Sequence, residues 1–326
     1  MLKTAIVGCG NVSAMHFDAV KKLGCGKITA VCDIVKEKAD LKAADCGADA
    51  LYDFDDMLKN ADFDVLHICT PHYLHPEMAI KAMRAGKAVF CEKPMAMSYA
   101  DALRVAGVAR ETGAYFGCCF QNRYNFASRE VKRLTDSGEL GELRGIRAFV
   151  TWDRGEDYYN ADDWHGTLQK EGGGVCINQA IHTLDLVQWF AGADITDVKG
   201  TISQKRLGGI VETEDTADAL IAFSNGVKAV FFGTLCYTDN SPVFIEVMGS
   251  RGRAVISDEL TIMTDNGRQV LPLDHSGGPK GYWGKGHIAI IEDFYDAINS
   301  RRPFAVDADE AAKAVKIVDG IYRDRR

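Results

Sequence analysis

The chain has 326 residues and a mass of 35.7 kDa, which at about 150 residues per domain predicts two domains, each with a substantial core. Hydrophobic residues make up 47% and charged residues 26% of the sequence, so a disordered or collagen-like chain is excluded. The 38 basic and 46 acidic residues give a formal net charge of -8. That charge argues against general binding to nucleic acid or to an anionic membrane surface.

The ten cysteines are spread along the chain and form no Cys-x-x-Cys pair. This spacing is typical of buried thiols, so we expect a protein of the reducing cytoplasm. The apolar run at the N-terminus ends at Gly8 and is too short for the core of a signal peptide. No later stretch reaches the roughly 18 uninterrupted apolar residues that a membrane-spanning helix needs.

Residues 3 to about 120 alternate short apolar runs with segments of helical periodicity. Apolar runs without polar alternation are typical of strands that are buried on both faces of a parallel sheet. We predict such strands at 4–7, 28–32, 65–69, 88–91 and 115–119. Apolar residues between them recur at three- and four-residue steps, which predicts crossover helices. The pattern therefore predicts a doubly wound α/β domain over residues 1–121.

After residue 121 the pattern changes to longer strand-like segments. Asn225-Gly226 separates two of them and predicts a hairpin in which both turn residues take a positive φ. Asp265-Asn266-Gly267 predicts a second turn of this kind. We predict an α+β domain over residues 122–326 with a large, mostly antiparallel open sheet. Its helices would lie near 184–190, 288–298 and 308–322, and the last would start at a capping box of Asp307 and Glu310.

Gly8, Gly10, Asn11 and Val12 lie between the first predicted strand and the helical segment that follows it. Gly8 would allow a tight turn, Gly10 would let the backbone approach a pyrophosphate, and the N–H groups at the helix start would bind that anion. The third position of this dinucleotide-binding pattern holds Ser13 instead of Gly or Ala. A plain strand-to-helix turn is therefore the alternative interpretation.

Asp33 ends the second predicted strand, where an acidic residue commonly meets the ribose 2′-hydroxyl of a dinucleotide. A carboxylate at this position favours NAD and repels the 2′-phosphate of NADP. No Arg is adjacent, although Lys36 or Lys38 could hold that phosphate, so NADP stays an alternative. The structural alternative is an Asp that caps the next helix.

Two further loops follow predicted strands and so share the carboxyl edge of the parallel sheet, where open α/β sheets bind ligands. One loop contains Thr70, Pro71 and His75, and the other contains Glu92 and Lys93. Partial burial at such an edge can lower the pKa of a lysine, which then exchanges a proton near neutral pH. Lys93 is therefore a candidate base, with an ordinary surface lysine as the alternative. For His75 the alternative is a polar loop residue or a helix cap.

Residues 172–185 are the densest group of polar residues in apolar surroundings. Asn178 and His182 are four residues apart, which places them on one face if a helix already runs through both. The three glycines at 172–174 would let the chain approach a ligand closely or would only form a flexible turn. We expect no metal site, because no His-Glu-x-x-His motif or cysteine cluster completes a tetrahedral zinc site.

These motifs, in this order and spacing, resemble the inositol dehydrogenase and glucose–fructose oxidoreductase family of nicotinamide-dependent sugar oxidoreductases. The resemblance covers nearly the whole chain. It is carried by the Gly8 and Gly10 loop with His16 downstream, Thr70-Pro71 with His75, Glu92-Lys93-Pro94, Gln121-Asn122-Arg123, the segments 172–185 and 246–252, and the closing helices around Phe294 and Pro303.

The resemblance implies an N-terminal Rossmann domain that binds NAD through the loops above and Gln121. It also implies that Lys93 lies beside the nicotinamide and the reacting carbinol, that Glu92 fixes its loop, and that His182 lines the substrate pocket. Several family members carry Asp at the position of Asn178. An amide hydrogen bonds a sugar hydroxyl but does not stabilise an imidazolium as a carboxylate does, so His182 is less secure as a general base here.

We therefore expect an NAD(P)-dependent oxidoreductase that acts on a secondary alcohol of a sugar, cyclitol or sugar derivative. Lys93 and His182 would be catalytic, and Asn178 and Trp164 would also bind the substrate. Trp164 lies in an aromatic and polar segment, 152–164, which would line the pocket or form an oligomer contact.

Two alternatives differ from this expectation in their chemistry. One is a redox-neutral enzyme that uses tightly bound NAD for a reaction such as glycoside elimination. The other is a non-catalytic NAD-binding sensor. Net accumulation of NADH would distinguish the dehydrogenase from both.

Assembly is predicted from the strand-like segments 227–232 and 243–248, which carry apolar side chains on both alternating faces. Helices of the same chain cover one face of a sheet easily, and a large exposed apolar face is rare in monomers. We therefore expect a homodimer or homotetramer that forms through this sheet.

Overall fold

The computed structural model describes residues 1–24, 26–273 and 286–323. The chain divides into two compact units, the first made of residues 1–121 and 286–312 and the second of residues 122–285 and 313–326. This differs from the two contiguous domains that we expected, because 286–312 packs with the first unit. Phe294 and Tyr295 of that segment are fully buried. Periodicity identifies an apolar helix of this kind but not the sheet on which it packs.

The described part of residues 1–121 forms a six-stranded sheet with its connecting helices. Every pair of neighbouring strands is parallel, and the strand order is β3-β2-β1-β4-β5-β6. That order is typical of doubly wound dinucleotide-binding sheets and confirms the predicted α/β class. The elements are β1 (Leu2–Val7), α1 (Ser13–Leu23), β2 (Gly26–Cys32), α2 (Lys36–Cys46), β3 (Asp49–Leu51), α3 (Phe54–Asn60), β4 (Val65–Ile68), α4 (His75–Arg84), β5 (Ala88–Cys91), α5 (Tyr99–Thr112) and β6 (Phe116–Cys118).

The five predicted strands of this half are confirmed as β1, β2, β4, β5 and β6. All four residues of β4 are buried, as expected for a strand covered on both faces. Sequence analysis missed β3, an edge strand of three residues that begins at Asp49. So short a strand has no apolar run that would reveal it.

The rest of the chain forms an eight-stranded sheet and five further helices in the described residues. The strand order is β14-β13-β12-β11-β7-β10-β9-β8, and among the described strands of this sheet only β7 and β10 pair in parallel. The predicted mostly antiparallel open sheet is therefore confirmed. The elements are α6 (Phe126–Asp136), β7 (Leu143–Thr151), α7 (Glu156–Tyr159), α8 (Ile181–Ala191), β8 (Ile195–Ser203), β9 (Thr216–Phe223), β10 (Lys228–Thr234), β11 (Phe244–Gly249), β12 (Gly252–Ile256), β13 (Glu259–Thr264), β14 (Gly267–Pro272), α9 (Gly286–Ser300) and α10 (Ala308–Ile321).

The three predicted helices of this half are confirmed as α8, α9 and α10, whereas α6 and the short α7 were missed. At the start of α10, an Asp307 carboxylate oxygen accepts a hydrogen bond from the Glu310 backbone N–H at 2.9 Å, as a capping box requires.

The hairpin between β9 and β10 is confirmed, but its predicted turn geometry is wrong. Among the residues 224–226 only Gly226 has a positive φ, of 84°. The N–H of Phe223 donates to the carbonyl of Val227 at 3.0 Å, so the loop has three residues and needs one left-handed residue, at its end. Likewise, only Gly267 has a positive φ in the turn between β13 and β14.

The two faces of the eight-stranded sheet differ in burial. Helices α6 and α8 contact β12, β7 and β11 on one face. Along β10, Ala229 and Phe231 are buried, whereas Val230 and Phe232 are 43% and 37% exposed. Leu220, the cross-strand partner of Val230 on β9, is 42% exposed. The second face therefore presents apolar side chains to solvent in this single chain.

All cysteines in the described residues are free thiols, most of them buried. Cys25 lies outside the described residues. Within the same residues, no helix has both the length and the apolar composition to span a bilayer.

Candidate active site

The loop between β1 and α1 has the geometry that its glycines predict. Gly8 has a φ of 89°, and a Cβ there would lie 2.6 Å from the carbonyl carbon of Cys69, so only glycine fits. A Cβ at Gly10 would meet no atom within 4 Å, which leaves the space beside this residue open. Helix α1 begins at Ser13 without a side-chain cap or an acidic residue in its first turn. Its positive dipole end is therefore available to an anion.

Asp33 ties the end of β2 to this loop. Its Oδ2 accepts a hydrogen bond from the Cys9 N–H at 2.7 Å, and its Oδ1 accepts one from the Val35 N–H at 2.8 Å. The side chain is half-buried. Each carboxylate oxygen keeps a second lone pair, so the group can still accept hydrogen bonds from ribose hydroxyls.

Glu92, which follows β5, is a buried carboxylate that the surrounding cations keep ionised. Its Oε1 lies 2.8 Å from Nε2 of His16, and its Oε2 accepts a hydrogen bond from the backbone N–H of Lys93 at 3.3 Å. Burial alone raises the pKa of Glu92. The hydrogen bond with His16 and the nearby basic side chains outweigh burial and hold that pKa below its usual range.

A buried hydrogen-bond chain leads from Glu92 into the core of the first unit. Nδ1 of His16 lies 2.8 Å from Nδ1 of His67, and Nε2 of His67 lies 3.0 Å from the Tyr295 hydroxyl. That hydroxyl lies 2.7 Å from Oγ1 of Thr4. We call these five side chains the Thr4–Glu92 chain.

Sequence reasoning used His16 only for the family resemblance and missed His67 and Tyr295. The available signal was a histidine in the middle of the otherwise apolar strand β4. A polar side chain at such a position must find a hydrogen-bond partner inside the protein.

His75, predicted to bind the cofactor, joins two loops of the sheet edge. Its Nδ1 lies 2.7 Å from the carbonyl oxygen of Pro94, and its Nε2 lies 2.7 Å from the carbonyl oxygen of Thr70. Burial lowers the pKa of His75, and these two backbone hydrogen bonds act in the opposite direction. The ring therefore fixes the loop of Thr70 and Pro71 against the loop of Lys93, and contact with a cofactor stays a prediction.

The structure places Lys93 two residues after the end of β5, with its side chain half-buried. Thr70 and Pro71 follow β4, the neighbouring strand in the sheet. The predicted shared edge is thus present, with the loops of Lys93 and Thr70 side by side. Gln121 is buried at the end of the same unit, where its Oε1 lies 3.9 Å from Sγ of Cys119.

Three ligand-type atoms, one each from His16, Glu92 and Cys119, lie within 4.8 Å of one another. His16 and Glu92 are already hydrogen bonded to each other. Burial raises the pKa of the Cys119 thiol well above its usual value, so the sulfur stays protonated. We interpret this trio as a hydrogen-bonded cluster and assign no metal to it.

In the second unit, Asn178 is paired with a carboxylate that sequence reasoning missed. Its Nδ2 donates to Oε1 of Glu171, which is 1% exposed, and lies 3.3 Å from the Tyr158 hydroxyl. That hydroxyl also accepts a hydrogen bond from Nε2 of Gln179 at 2.8 Å. The predicted pocket segment 152–164 therefore reaches the Asn178 region through Tyr158. The signal for Glu171 was its position immediately before the three glycines.

No single α-helix runs through Asn178 and His182, so the condition for a shared helical face is not met. Residues 175–179 form one turn of π-helix, and α8 starts only at Ile181. Such turns are rare and often mark functional sites. Asn178 lies in the π-turn and the half-buried His182 in the first turn of α8, so a four-residue α-helical spacing does not set their orientation.

The glycines before the π-turn allow close packing against other parts of the protein. We expected them to allow close approach to a ligand or to form a flexible turn, and neither expectation described this packing. A Cβ at Gly174 would lie 1.8 Å from the carbonyl oxygen of Glu214, and one at Gly173 would lie 2.1 Å from the Tyr322 hydroxyl. The Glu214 carboxylate accepts hydrogen bonds from the N–H groups of Gly174 and Cys176 at 2.9 and 3.1 Å. Trp164 is half-buried, and its ring centroid lies 3.7 Å from that of His165.

The chain is similar to known dehydrogenases along nearly its whole length. It is 29% identical over 319 residues to the scyllo-inositol 2-dehydrogenase (NAD(+)) of Bacillus subtilis. The alignment covers 94% of this chain and 90% of that protein. The WlbA dehydrogenase from Bordetella pertussis, solved in complex with NADH and UDP-GlcNAcA, has 26% identity and a TM-score of 0.85, with 99% and 95% of the two chains covered. Levoglucosan dehydrogenase in complex with NADH and levoglucosan shares the fold, with a TM-score of 0.88, 20% identity, and 99% and 96% coverage.

Family models match both units. Residues 2–120 match the model described as oxidoreductase family, NAD-binding Rossmann fold, and residues 128–255 match the GFO/IDH/MocA C-terminal domain. The glycine loop, Asp33 and the edge loops of Thr70 and Lys93 all lie within the first match. The chain belongs to the GFO/IDH/MocA family of oxidoreductases, and its first unit is an NAD-binding Rossmann fold.

Proposed function

We propose that the protein catalyses the NAD-dependent oxidation of a secondary alcohol in a sugar, cyclitol or sugar derivative. One observation carries the proposal. Lys93 stands at the carboxyl edge of the parallel sheet, and its backbone is held by the ionised Glu92 carboxylate. A half-buried lysine in such a position is suited to proton transfer. The dehydrogenase relatives reported above support the reaction type.

The residues around the glycine loop fit an NAD molecule. Gly8 and Gly10 leave no side chain where a pyrophosphate would approach, and the uncapped start of α1 attracts its charge. Asp33 would accept hydrogen bonds from the adenosine ribose, and its negative charge disfavours NADP. Asn11, Val12, Thr70, Pro71 and Gln121 are proposed to complete the site.

Lys93 is the proposed base. NAD, when bound, accepts the hydride that leaves the carbinol carbon. The Nζ of Lys93, in its neutral form, accepts the hydroxyl proton as the C–O bond becomes a carbonyl. Glu92 keeps the Lys93 backbone in place, so the amine approaches the substrate from a fixed loop.

Asn178, His182 and Trp164 are proposed to bind substrate hydroxyl groups and to cover the sugar ring. Tyr158 and Glu171 hold the amide of Asn178 in one orientation. One relative is named as a scyllo-inositol 2-dehydrogenase, and the WlbA dehydrogenase was solved with UDP-GlcNAcA bound. These polyhydroxylated rings define the substrate class that we propose.

A panel of cyclitols, free sugars, uronates and nucleotide sugars tests the function, with NADH formation followed by absorbance. We expect net NADH accumulation with at least one member of the panel and no turnover without substrate. Product formation without NADH accumulation would instead identify the redox-neutral alternative. NAD binding without turnover by any member of the panel would favour the sensor.

The open face of the eight-stranded sheet is the proposed oligomer interface. Leu220, Val230, Phe232 and Phe149 line a groove of about 850 Å³ on this face. Leu220, Val230 and Phe232 are each more than a third exposed, and apolar side chains that cluster on a surface are typical of protein–protein contacts. We propose that two copies pair through it as a homodimer, with a homotetramer as the larger alternative.

We also propose that the enzyme works in the cytoplasm. The free thiols in the described residues support this location, because a reducing compartment keeps thiols unpaired. Fractionation of the native organism with an antibody against the protein tests it.

A further inference from the structure

The Thr4–Glu92 chain does more than fill the core of the Rossmann unit. We propose that His67 is a positioning residue that keeps a proton on both ring nitrogens of His16, so that the His16 imidazolium neutralises Glu92 and lets Lys93 act as a base. This inference rests on the proposed role of Lys93 and identifies a residue that controls it from inside the sheet.

The hydrogen-bond geometry allows two arrangements. An ionised carboxylate only accepts, so Nε2 of His16 must donate to Oε1 of Glu92 across 2.8 Å. The contact of 2.8 Å between Nδ1 of His16 and Nδ1 of His67 holds one proton. If that proton is on His16, His16 is a cation; if it is on His67, His16 is neutral.

The partners of His67 are compatible with both arrangements, and the charge of Glu92 decides between them. In the first arrangement, Nε2 of His67 donates to the Tyr295 hydroxyl, which donates to Thr4. In the second arrangement, Thr4 donates to the Tyr295 hydroxyl, which donates to Nε2 of His67. The buried Glu92 carboxylate then accepts hydrogen bonds only from a neutral His16 ring and a backbone N–H. An uncompensated buried charge is far more costly than a paired one. The first arrangement is therefore favoured.

Apart from Lys93, the other titratable groups around Glu92 do not supply the missing charge at neutral pH. Burial lowers the pKa of His67 well below its usual value and that of His287 to about 4. Burial also lowers the pKa of His75, and its two ring nitrogens face the carbonyl oxygens of Pro94 and Thr70 instead of Glu92. The thiols stay protonated because burial raises their pKa values. The titratable groups that interact with Glu92, besides His16, are His67, Cys69, His75, Cys91, Lys93, Cys119 and His287.

His16 and Lys93 therefore compete for the same negative charge. When His16 is a cation, Glu92 is neutralised and Lys93 releases its proton more easily. When His16 is neutral, the carboxylate stabilises the ammonium form of Lys93, which cannot accept a proton. The acceptor nitrogen of His67 thus sets the pH range in which Lys93 works.

The test compares His67→Leu with His67→Asn. Leucine removes the acceptor for Nδ1 of His16, whereas the amide oxygen of asparagine takes nearly the same place as Nδ1 of the histidine. We expect the acid limb of the kcat/KM profile for alcohol oxidation to move up by about one pH unit in His67→Leu, the scale of an opposite charge at short range. His67→Asn should restore the wild-type position. NAD affinity should change less than twofold in both variants, which separates this effect from a loss of folding.

A second measurement does not depend on activity. Nitrogen-15 NMR of histidine-labelled protein, assigned with His16→Asn, reports which ring nitrogens of His16 carry protons. We expect both to be protonated in the wild type and only Nε2 in His67→Leu. A neutral His16 in the wild type, an unmoved acid limb in His67→Leu, or an equal shift in both variants would overturn the inference. Failure of the proposed function would instead appear as absent NADH formation with an intact His16 signal.

Discussion

The two sheets of the molecule depart from their own patterns in opposite ways. The parallel sheet is largely apolar on both faces, and its exceptions are buried polar residues, of which His67 lies inside a fully buried strand. The eight-stranded sheet alternates buried and exposed positions, and its exceptions are apolar residues, such as Val230 and Phe232, on the exposed face. A buried polar side chain indicates an internal hydrogen-bond partner, whereas an exposed apolar row indicates a partner outside the chain. The predictions below test these two interpretations.

The largest expected effect is at the edge of the parallel sheet. Lys93→Met keeps the apolar stem but removes the base, so we expect turnover to fall by about 10² to 10⁴. The affinity for NAD, measured by calorimetry, should change little. Lys81→Met is a suitable control, because Lys81 belongs to the same unit but forms an exposed ion pair with Asp55. If Lys93→Met turns over at near wild-type rates while His182→Asn is inactive, the histidine is the base.

The proposed pairing of two copies through the eight-stranded sheet should weaken when charged residues replace the exposed apolar side chains of β10. Val230→Asp with Phe232→Asp would bury two carboxylates in an apolar interface, which costs several kcal/mol and should weaken association by more than about 100-fold. Light scattering should then give the monomer mass of 35.7 kDa. Leu103→Asp is the matched control, because Leu103 is 44% exposed but lies on α5 of the other unit. A wild-type protein that already has the monomer mass would disprove the interface.

The glycine loop should show a smaller effect, on cofactor choice. Asp33→Asn keeps an oxygen that can accept from the Cys9 N–H but removes the charge that repels a 2′-phosphate. We expect the preference for NAD over NADP to narrow by about 1 to 3 kcal/mol, the range for hydrogen bonds to charged groups. Calorimetric Kd values for both nucleotides measure it, with Asp45→Asn as an exposed control. Equal binding of the two nucleotides by the wild type would contradict the prediction.

The parallel sheet was predictable from sequence because each of its long strands is a continuous apolar run that ends at a loop with special residues. The positions of Gly8, Asp33 and Lys93 at strand ends follow directly from that pattern. What sequence could not show is side-chain pairing between distant positions. His16 meets Glu92, which is 76 residues away, and His67 meets Tyr295, 228 residues away.

The second unit was less predictable because its local backbone departs from regular periods. A π-turn at 175–179 contains Asn178, so the four-residue spacing to His182 does not place the two side chains on one face of an α-helix. The hairpin at Gly226 has a three-residue loop, which the Asn-Gly signal alone does not specify. The segment 286–312 packs with the first unit, and its helical periodicity carries no information on that choice.

The smallest expected effect concerns Asn178, and it corrects the simple expectation that an aspartate there would only assist His182. Asn178→Asp would place a second carboxylate against Glu171, which now accepts a hydrogen bond from the amide. Two carboxyl groups at hydrogen-bond distance share one proton, so the pKa of one of them rises in the folded state. The folded variant then binds more protons than the unfolded chain above about pH 4, and its stability falls as pH rises from there to the raised pKa.

At neutral pH we expect a loss of about 1 to 2 kcal/mol for a shift of roughly one pKa unit, with recovery in acid. Urea unfolding at several pH values measures it. The double variant Asn178→Asp with Glu171→Gln exchanges the two groups, and it should recover the stability because it restores a single carboxylate with an amide donor. A pH-independent loss in Asn178→Asp, or no recovery in the double variant, would show that steric fit at the π-turn outweighs the charge. In that case Asn178 is selected by packing, and its hydrogen bond to Glu171 is a consequence of the fold.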